Sequence, residues 1–305
     1  MIVAAIDVGT NTTRLLVADA DGGTLRELHR ETRITRLGEG VDRRRRLLPV
    51  PVARVRNALS DYRRTAESLG AERTLLVATS AVRDAENGEA FLGEVEWGYG
   101  FATRLLSGDE EAALTRRGVG ALDPGTLILD IGGGSTELVL DEVHVSLDVG
   151  AVRFTERFLH ADPPGADELE ACAAAVRAEL PEIAPRAAVG VAGTLTTLAA
   201  LDLGLAEYDR ERVDGHALGL EGARTQLERL AGLPVAERRE LPAMEPERAP
   251  VIVAGAVILV EALARYGLDA ISVSERDILD GAALAAADLP EPDEGAAPPG
   301  AYTCC

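Results

Sequence analysis

Residues 6–19 read I-D-V-G-T-N-T-T-R-L-L-V-A-D, and residues 129–142 read L-D-I-G-G-G-S-T-E-L-V-L-D-E. The two stretches align without a gap, with Asp7 on Asp130. Each is an apolar run that ends in a carboxylate, followed by a turn of small residues and a second apolar run. Two apolar strands joined by such a turn are typical of a β-hairpin. The sequence therefore predicts a duplicated hairpin and, with it, a duplicated domain.

Both turns have the composition of an anion-binding site. Small residues let a phosphate approach the main chain and meet its N–H groups. The carboxylate before each turn, Asp7 or Asp130, can hold a divalent cation that bridges phosphate oxygens. Two such hairpins facing each other would hold one phosphate chain from both sides. The predicted phosphate-binding residues of the turns are Gly9, Thr10, Asn11, Thr12, Gly132, Gly133, Gly134 and Ser135.

The composition narrows the class of protein. With 305 residues, the chain is long enough for two domains with cores of their own. A formal charge of −20 argues against general binding to nucleic acid or to an anionic membrane. No apolar run approaches the length of a membrane span, and the N-terminus lacks the basic region of a signal peptide. Together with only three cysteines, these features predict a cytoplasmic protein.

Helical and strand periodicities predict an α/β order that occurs twice. The change of domain is expected near residues 122–125, which read L-D-P-G. We therefore predict an N-terminal domain at residues 1–122 and a C-terminal domain at residues 123–288, facing each other across a cleft. Residues 289–305 are rich in proline, glycine, alanine and acidic side chains, which predicts a disordered tail.

Two adjacent glutamates in the string S-G-D-E-E-A, residues 107–112, are predicted to have different tasks. Ser107 followed three residues later by Glu110 is a capping box, which turns Glu110 back onto the start of a helix. Glu111 lies about 100° further round that helix and is free to point elsewhere. From the residues alone, Glu111 is either a solvated first-turn acid favoured by the helix dipole or a functional carboxylate.

Charged side chains also interrupt apolar segments elsewhere. Arg14 and Glu137 lie on the second strand of their hairpins. Each belongs either to the polar face of an edge hairpin or to a site, with Arg14 on phosphate and Glu137 placing a metal or water. Arg83 follows a buried strand, where a guanidinium is unfavourable unless it meets an anion. Weaker candidates are Arg36, Arg248, Thr194 and the four consecutive arginines at residues 43–46, which form either a solvated loop or a steering patch for polyanions.

These features resemble the twin ribonuclease H-like domains of the actin, heat-shock chaperone and sugar kinase superfamily. More specifically, the sequence resembles the exopolyphosphatase / guanosine pentaphosphate phosphohydrolase (Ppx/GppA) family. The resemblance covers residues 1–288 and implies the same fold of two α/β domains. It rests on five strings that occur in order: A-A-I-D-V-G-T-N-T (4–12), T-R-L-G-E-G-V (35–41), V-A-T-S-A-V-R (77–83), S-G-D-E-E-A (107–112) and D-I-G-G-G-S-T-E (130–137).

The resemblance also implies an activity. The implied reaction is the metal-dependent release of terminal phosphate from inorganic polyphosphate. Guanosine pentaphosphate is the alternative substrate, and a non-catalytic regulator that binds nucleotides or alarmones is the alternative function. The implied cofactor is Mg²⁺, with Mn²⁺ as a substitute, and a homodimer is also expected.

Roles for individual residues follow from the same resemblance. It implies Glu111 as the catalytic base and Arg83 as a phosphate contact. Asp130 and Glu137 are implied as metal-binding or catalytic carboxylates. Asp7 occupies the equivalent position in the first hairpin and is expected to bind the metal.

Two departures from the family pattern bear on the substrate. The chain lacks the additional C-terminal helical domains with which longer members hold long polyphosphate. Leu279 also stands where the family usually has an arginine. Both departures argue against nucleotide recognition and against processive hydrolysis of long chains. The missing domains and the net charge of −20 predict a preference for short polyphosphate chains.

Overall fold

The computed structural model describes residues 1–290. Its contacts divide the chain into two compact units. The first contains Met1–Gly120 and the described residues from Asp277 onward, and the second contains Ala121–Arg276. Each unit is an α/β assembly with one sheet, which confirms the predicted fold class. Of the predicted tail, residues 291–305 lie outside the described residues.

Strands and helices alternate along the chain in an order close to the prediction. The strands are β1 (Ile2–Val8), β2 (Thr12–Asp21), β3 (Thr24–Ile34), β4 (Arg73–Ala78), β5 (Ala102–Leu105), β6 (Thr126–Ile131), β7 (Thr136–Leu140), β8 (Val143–Leu147), β9 (Ala187–Val191), β10 (Ala217–Gly219) and β11 (Ala270–Val273). The helices are α1 (Val41–Arg44), α2 (Pro49–Ser68), α3 (Ser80–Arg83), α4 (Gly88–Tyr99), α5 (Gly108–Val119), α6 (Ala151–Phe158), α7 (Ala166–Glu179), α8 (Ala192–Asp202), α9 (Arg210–Val213), α10 (Leu220–Ala231), α11 (Val235–Arg239), α12 (Ile252–Tyr266) and α13 (Ile278–Ala287). None of these helices is both long enough and apolar enough to cross a membrane.

The two sheets repeat one topology. The first has the strand order β3-β2-β1-β4-β5, and the second contains the equivalent order β8-β7-β6-β9-β11, with β10 added beside β11. In both sheets the first three strands along the chain are antiparallel neighbours. The later strands join them in parallel, except that β10 pairs antiparallel with β11. The duplication predicted from the two hairpins therefore extends to the whole sheet.

Strand β1 shows why the sheet of the first unit carries helices on both faces. Successive side chains of a strand point to opposite faces. Ala4 and Ile6 belong to the core that includes residues of α2 and α4, whereas Val3 and Ala5 belong to the core that includes residues of α13. An apolar run without polar alternation fits a strand that is buried on both faces.

The last helix, α13, belongs to the first unit, so the predicted assignment of residues up to 288 to the second domain is wrong. Its Ile278, Leu279 and Ala282 join Val3 and Ala5 in one core cluster. Leu279, the position where an arginine was expected, is fully buried in that cluster. The periodicity of α13 predicts a buried helix but carries no signal of which sheet the helix covers.

Glycines allow α13 to lie close to α5. A Cβ atom on Gly118 would be 1.8 Å from the carbonyl oxygen of Asp277, and one on Gly281 would be 1.9 Å from the carbonyl oxygen of Leu114. No side chain fits at either position, because real Cβ atoms do not come so near to backbone oxygens. The close approach brings Asp277, the N-cap of α13, into the first unit.

Candidate functional site

The first hairpin turn is fixed through its own backbone. Gly9 donates its N–H to the carbonyl of Thr12 at 2.9 Å, which closes the turn between β1 and β2. The carbonyls of Thr10 and Asn11 accept hydrogen bonds from the segment that follows β3. The hydroxyls of Thr10 and Ser80 also share a hydrogen bond of 2.9 Å. A backbone held in this way suits preorganised N–H donors, which is the property predicted for a phosphate turn.

The second turn is built in the same way at the equivalent positions. Gly132 donates to the carbonyl of Ser135 at 3.0 Å. The carbonyl of Gly133 accepts from the backbone at the start of α6. Arg153, on the first turn of α6, is buried and donates from Nε to the carbonyl of Gly134 at 2.6 Å. A buried arginine side chain therefore holds the backbone of the glycine-rich turn in place.

In the first hairpin, the carboxylate before the turn is paired with an arginine. Asp7 and Arg14 are directly opposite each other on β1 and β2. Arg14 donates to Asp7 Oδ2 from Nε at 3.0 Å and from Nη2 at 2.7 Å. Burial raises the pKa of Asp7 above its ordinary value, although the Arg14 charge acts in the opposite direction. Asp7 Oδ1 is buried and has no hydrogen-bond partner within residues 1–290.

A second carboxylate, Asp277, binds the same guanidinium. Arg14 Nη1 donates to Asp277 Oδ2, so the arginine lies between two buried carboxylates of the first unit. Burial raises the pKa of Asp277, but the charge and hydrogen bond of Arg14, the charge of Arg30 and the hydrogen bond from the N–H of Leu279 together hold this pKa below its ordinary value. The two carboxylates raise the pKa of Arg14, which therefore stays charged. Phosphate contact by Arg14 stays a prediction, since the structure gives it these two partners.

The second hairpin has two carboxylates at the equivalent positions. Asp130 and Glu137 are opposite each other on β6 and β7, and both are buried. Directly opposite residues of an antiparallel pair project from the same face of the sheet, where like charges repel. Ser146 donates a hydrogen bond to Glu137 Oε1 at 3.0 Å, which orients this carboxylate.

These carboxylates fit a hard divalent cation. Within residues 1–290, no group of three or more His, Cys, Asp or Glu side chains forms a ready-made metal cage. Mg²⁺ does not need one, because it is usually bound by one or two carboxylates together with water and substrate phosphates. Asp130 and Glu137 supply such a pair, and Asp7 Oδ1 is a buried acceptor in the first unit. The donor chemistry therefore fits the predicted Mg²⁺ or Mn²⁺.

The two glutamates at the start of α5 have different environments, as predicted. Ser107 Oγ accepts from the N–H of Glu110 at 3.3 Å, and Glu110 Oε2 accepts from the N–H of Ser107 at 2.8 Å. Backbone and side-chain bonds to Ser107 lower the pKa of Glu110. Glu111, one residue further on, is buried instead. The capping box is confirmed.

Glu111 forms an ion pair with Arg83, the last residue of α3. Arg83 Nη1 also donates to the carbonyl of Leu106 at 2.6 Å. The Glu111 side chain is 6% exposed and that of Arg83 is 28% exposed, so the guanidinium reaches solvent and the carboxylate does not. The pair therefore places a charged guanidinium at the surface beside a buried carboxylate.

The weaker candidates occupy diverse positions. Thr194, near the start of α8, donates from Oγ1 to the carbonyl of Ile131 at 3.2 Å. The guanidinium of Arg248 lies directly against Gly193 and makes an ion pair with Glu245 at 3.4 Å. Arg36 uses its N–H to bind the first turn. A phosphate contact by any of them stays a prediction.

Comparison with known proteins gives consistent results. The model of the Ppx/GppA phosphatase family matches residues 16–287. Exopolyphosphatase 2 of Mycobacterium tuberculosis is 42% identical over 316 residues, covering 93% of this chain and 98% of that protein. The crystal structure of the Aquifex aeolicus member of the Ppx/GppA family has a TM-score of 0.79 at 30% identity, over 93% of this chain and 97% of that chain. An exopolyphosphatase structure from Cytophaga hutchinsonii has a TM-score of 0.85 at 24% identity, over 92% and 96% of the two chains, and supports the fold.

Two repeated α/β units, each with a small-residue turn beside a buried carboxylate, together with these matches define the chain as a phosphoanhydride hydrolase. The chain belongs to the Ppx/GppA phosphatase family.

Sequence reasoning missed two residues: Asp277, which binds Arg14 of the first hairpin, and Arg153, which supports the second turn. Asp277 was assigned to the other domain, although its position as a carboxylate just before an apolar helix marks it as an N-cap. Arg153 carried no distinguishing signal, because an arginine on an amphipathic helix is usually solvated. Only the packing of α6 under the second turn reveals it.

Proposed function

We propose that the chain is a metal-dependent exopolyphosphatase that releases terminal phosphate from inorganic polyphosphate and prefers short chains. The observation that carries the proposal is the buried Glu111 held by Arg83 at the start of α5. The similarity to Exopolyphosphatase 2, which extends over nearly all of both chains, supports the same substrate class.

We assign to Glu111 the role of the base that accepts a proton from the attacking water. In the proposed step the water oxygen bonds to the terminal phosphorus while Glu111 takes the water proton, and the bond from that phosphorus to the bridging oxygen breaks. The products are phosphate and a polyphosphate shorter by one phosphate. General-base help of this kind contributes about 10²- to 10⁴-fold in rate. Arg83 keeps Glu111 in place and gives the approaching phosphate a positive charge.

The two turns and the carboxylate pair are assigned to binding. The N–H groups of residues 9–12 and 132–135 would hold phosphate oxygens. In the second unit, Asp130 and Glu137 would hold Mg²⁺ or Mn²⁺. In the first unit, Asp7 is the equivalent carboxylate and would be a metal ligand there. When bound, such a cation neutralises charge on the phosphate oxygens. A cytoplasmic location and a homodimer remain predictions.

Phosphate release from a graded set of substrates tests this proposal. Tripolyphosphate, longer polyphosphates, guanosine pentaphosphate and ATP are compared by kcat/KM in the presence of Mg²⁺. We expect the highest efficiency on short polyphosphates, with products of every intermediate length. Turnover of guanosine pentaphosphate alone would favour the alternative substrate, and turnover of ATP alone would favour a nucleotide-dependent switch.

A further inference from the structure

Residues 43–46, here called the arginine segment, are basic residues to which the proposed reaction assigns no role. All four residues are arginines with exposed side chains. The structure gives none of the four a side-chain hydrogen bond or ion pair within residues 1–290. The neighbouring Arg54, by contrast, is paired with Glu39 at 3.1 Å. Four positive charges without partners are unexpected in a chain of net charge −20.

The loop that precedes the arginine segment contacts the first phosphate turn. Gly38 donates its N–H to the carbonyl of Thr10 at 2.8 Å. A Cβ atom on Gly38 would lie 2.2 Å from Thr10 Cγ2, so this loop touches the turn directly. Val41, which donates to the carbonyl of Gly38 at 3.0 Å, then opens the short helix α1 that carries the first two arginines.

The other end is attached next to Arg83. The carbonyl of Arg45 accepts from the N–H of Glu86 at 2.8 Å. Leu47 exchanges two hydrogen bonds with the side chain of Asn87, at 2.8 and 3.1 Å. Glu86 and Asn87 follow α3, which ends at Arg83. The arginine segment is therefore held between the two elements of the first unit to which phosphate binding is assigned.

Arg45 adopts a backbone conformation that favours glycine. As the C-cap of α1 it has φ 52° and ψ 33°, in the left-handed region. Glycine is the usual residue at such helix ends, because any Cβ atom is strained there. Strain of this kind is retained mainly at functional positions. Arg45 therefore keeps a strained backbone conformation that glycine would relieve.

We propose that the arginine segment binds the part of the polyphosphate chain that lies beyond the terminal phosphates. The inference rests on the proposed function and specifies how that substrate is recognised. Guanidinium groups match phosphate geometry. A single exposed ion pair is weak, so four arginines in a row suit a ligand that repeats its charge. Efficiency should therefore rise from tripolyphosphate to the short oligophosphate that first reaches the arginine segment, and longer chains should gain nothing further.

A charge-matched pair of variants tests the proposal. In the first, residues 43–46 are all changed to glutamine. In the control, four exposed arginines of the second unit are changed to glutamine: Arg212, Arg224, Arg229 and Arg239. Both variants lose four positive charges. The measured quantity is the ratio of kcat/KM on long polyphosphate to kcat/KM on tripolyphosphate, at several salt concentrations.

We expect the first variant to lower this ratio about tenfold, because each exposed ion pair contributes little but four of them act together. The salt dependence of the ratio should also weaken, because salt screens these contacts. The control should keep the wild-type ratio. An unchanged ratio in the first variant, or an equal fall in the control, would overturn the proposal. Wild type that hydrolyses no polyphosphate at all would instead overturn the proposed function.

The single substitution Arg45→Gly distinguishes an effect on substrate binding from an effect on stability. Glycine relieves the left-handed strain, so the melting temperature should stay the same or rise. The ratio for long over short substrate should still fall, by about two- to threefold, since one exposed phosphate contact is lost. A retained ratio together with a raised melting temperature would show that Arg45 has no part in binding.

Discussion

The two hairpins share one register but differ in charge at one position. Asp7 faces Arg14 in the first unit, whereas Asp130 faces Glu137 in the second. The first carboxylate already has a cation of the protein beside it. In the second unit two acids face each other, which is unfavourable unless a cation or a proton joins them. The duplicated scaffold has thus diverged at this position: a carboxylate faces an arginine in the first hairpin, and a carboxylate faces a second carboxylate in the other.

The geometry of the turns, by contrast, is the same in both units. Gly9 bonds to Thr12 as Gly132 bonds to Ser135, at 2.9 and 3.0 Å. Both turns also have carbonyls that accept bonds from the segment beyond the third strand. The two hairpins therefore share the backbone geometry that suits phosphate, and they differ in the charge of the side chains next to it. The predictions below test this division, from the largest expected effect to the smallest.

The largest effect is expected for a carboxylate outside both hairpins. Glu111→Gln keeps the size of the side chain but removes the proton acceptor. We expect kcat on polyphosphate to fall by about 10²- to 10⁴-fold, while polyphosphate binding, followed by calorimetry, is retained. Loss of binding with normal turnover of the bound substrate would show that Glu111 is a binding group rather than the base.

Arg14→Gln tests whether the first hairpin depends on its own cation. The change leaves Asp7 and Asp277 buried without the guanidinium, and such a loss destabilises by about 3 kcal/mol or more. The matched control is Arg33→Gln, also on the first sheet but 36% exposed, where about 1 kcal/mol or less is expected. Urea unfolding measures both. Equal small losses would mean that the buried network adds little.

Asp277→Asn tests the same network from α13 and has a defined pH dependence. Despite burial, Arg14, Arg30 and the N–H of Leu279 hold the folded-state pKa of Asp277 below its ordinary value. The stabilisation by Asp277 is therefore fully present above the ordinary pKa and is lost as the pH falls through the lowered pKa. We expect a loss of about 2 kcal/mol at neutral pH, shrinking in acid. Asp280→Asn is the control, since burial raises the pKa of Asp280 and its charge helps less. A larger loss in the control would contradict this account.

The smallest effect is expected for Glu110→Gln. A glutamine can still bond back to the N–H of Ser107, so the capping box should lose about 1 kcal/mol at most. Turnover should stay near wild type. A fall in kcat comparable to that of Glu111→Gln would mean that the roles of the two glutamates had been exchanged.

Local patterns of the sequence were sufficient for the hairpins and for the capping box. Asp7 and Asp130 end apolar runs, and Ser107 and Glu110 have the spacing of a reciprocal cap, so short segments determine these features. The position of α13 and the Arg14–Asp277 pair were not predictable in this way. They depend on contacts between residues far apart in the chain, and an apolar helix fits the face of either sheet.

Mn²⁺ binding followed by electron paramagnetic resonance tests the central claim most directly, because it measures the metal site independently of turnover. Wild type, Glu137→Gln and Asp7→Asn are titrated with Mn²⁺ alone. An amide binds a hard cation less well than a carboxylate does. We therefore predict that Glu137→Gln weakens binding by about tenfold or more, and that Asp7→Asn weakens it less, because Arg14 already neutralises Asp7. Wild-type affinity in Glu137→Gln, or an equal loss in both variants, would contradict the assignment of the cation to the second hairpin.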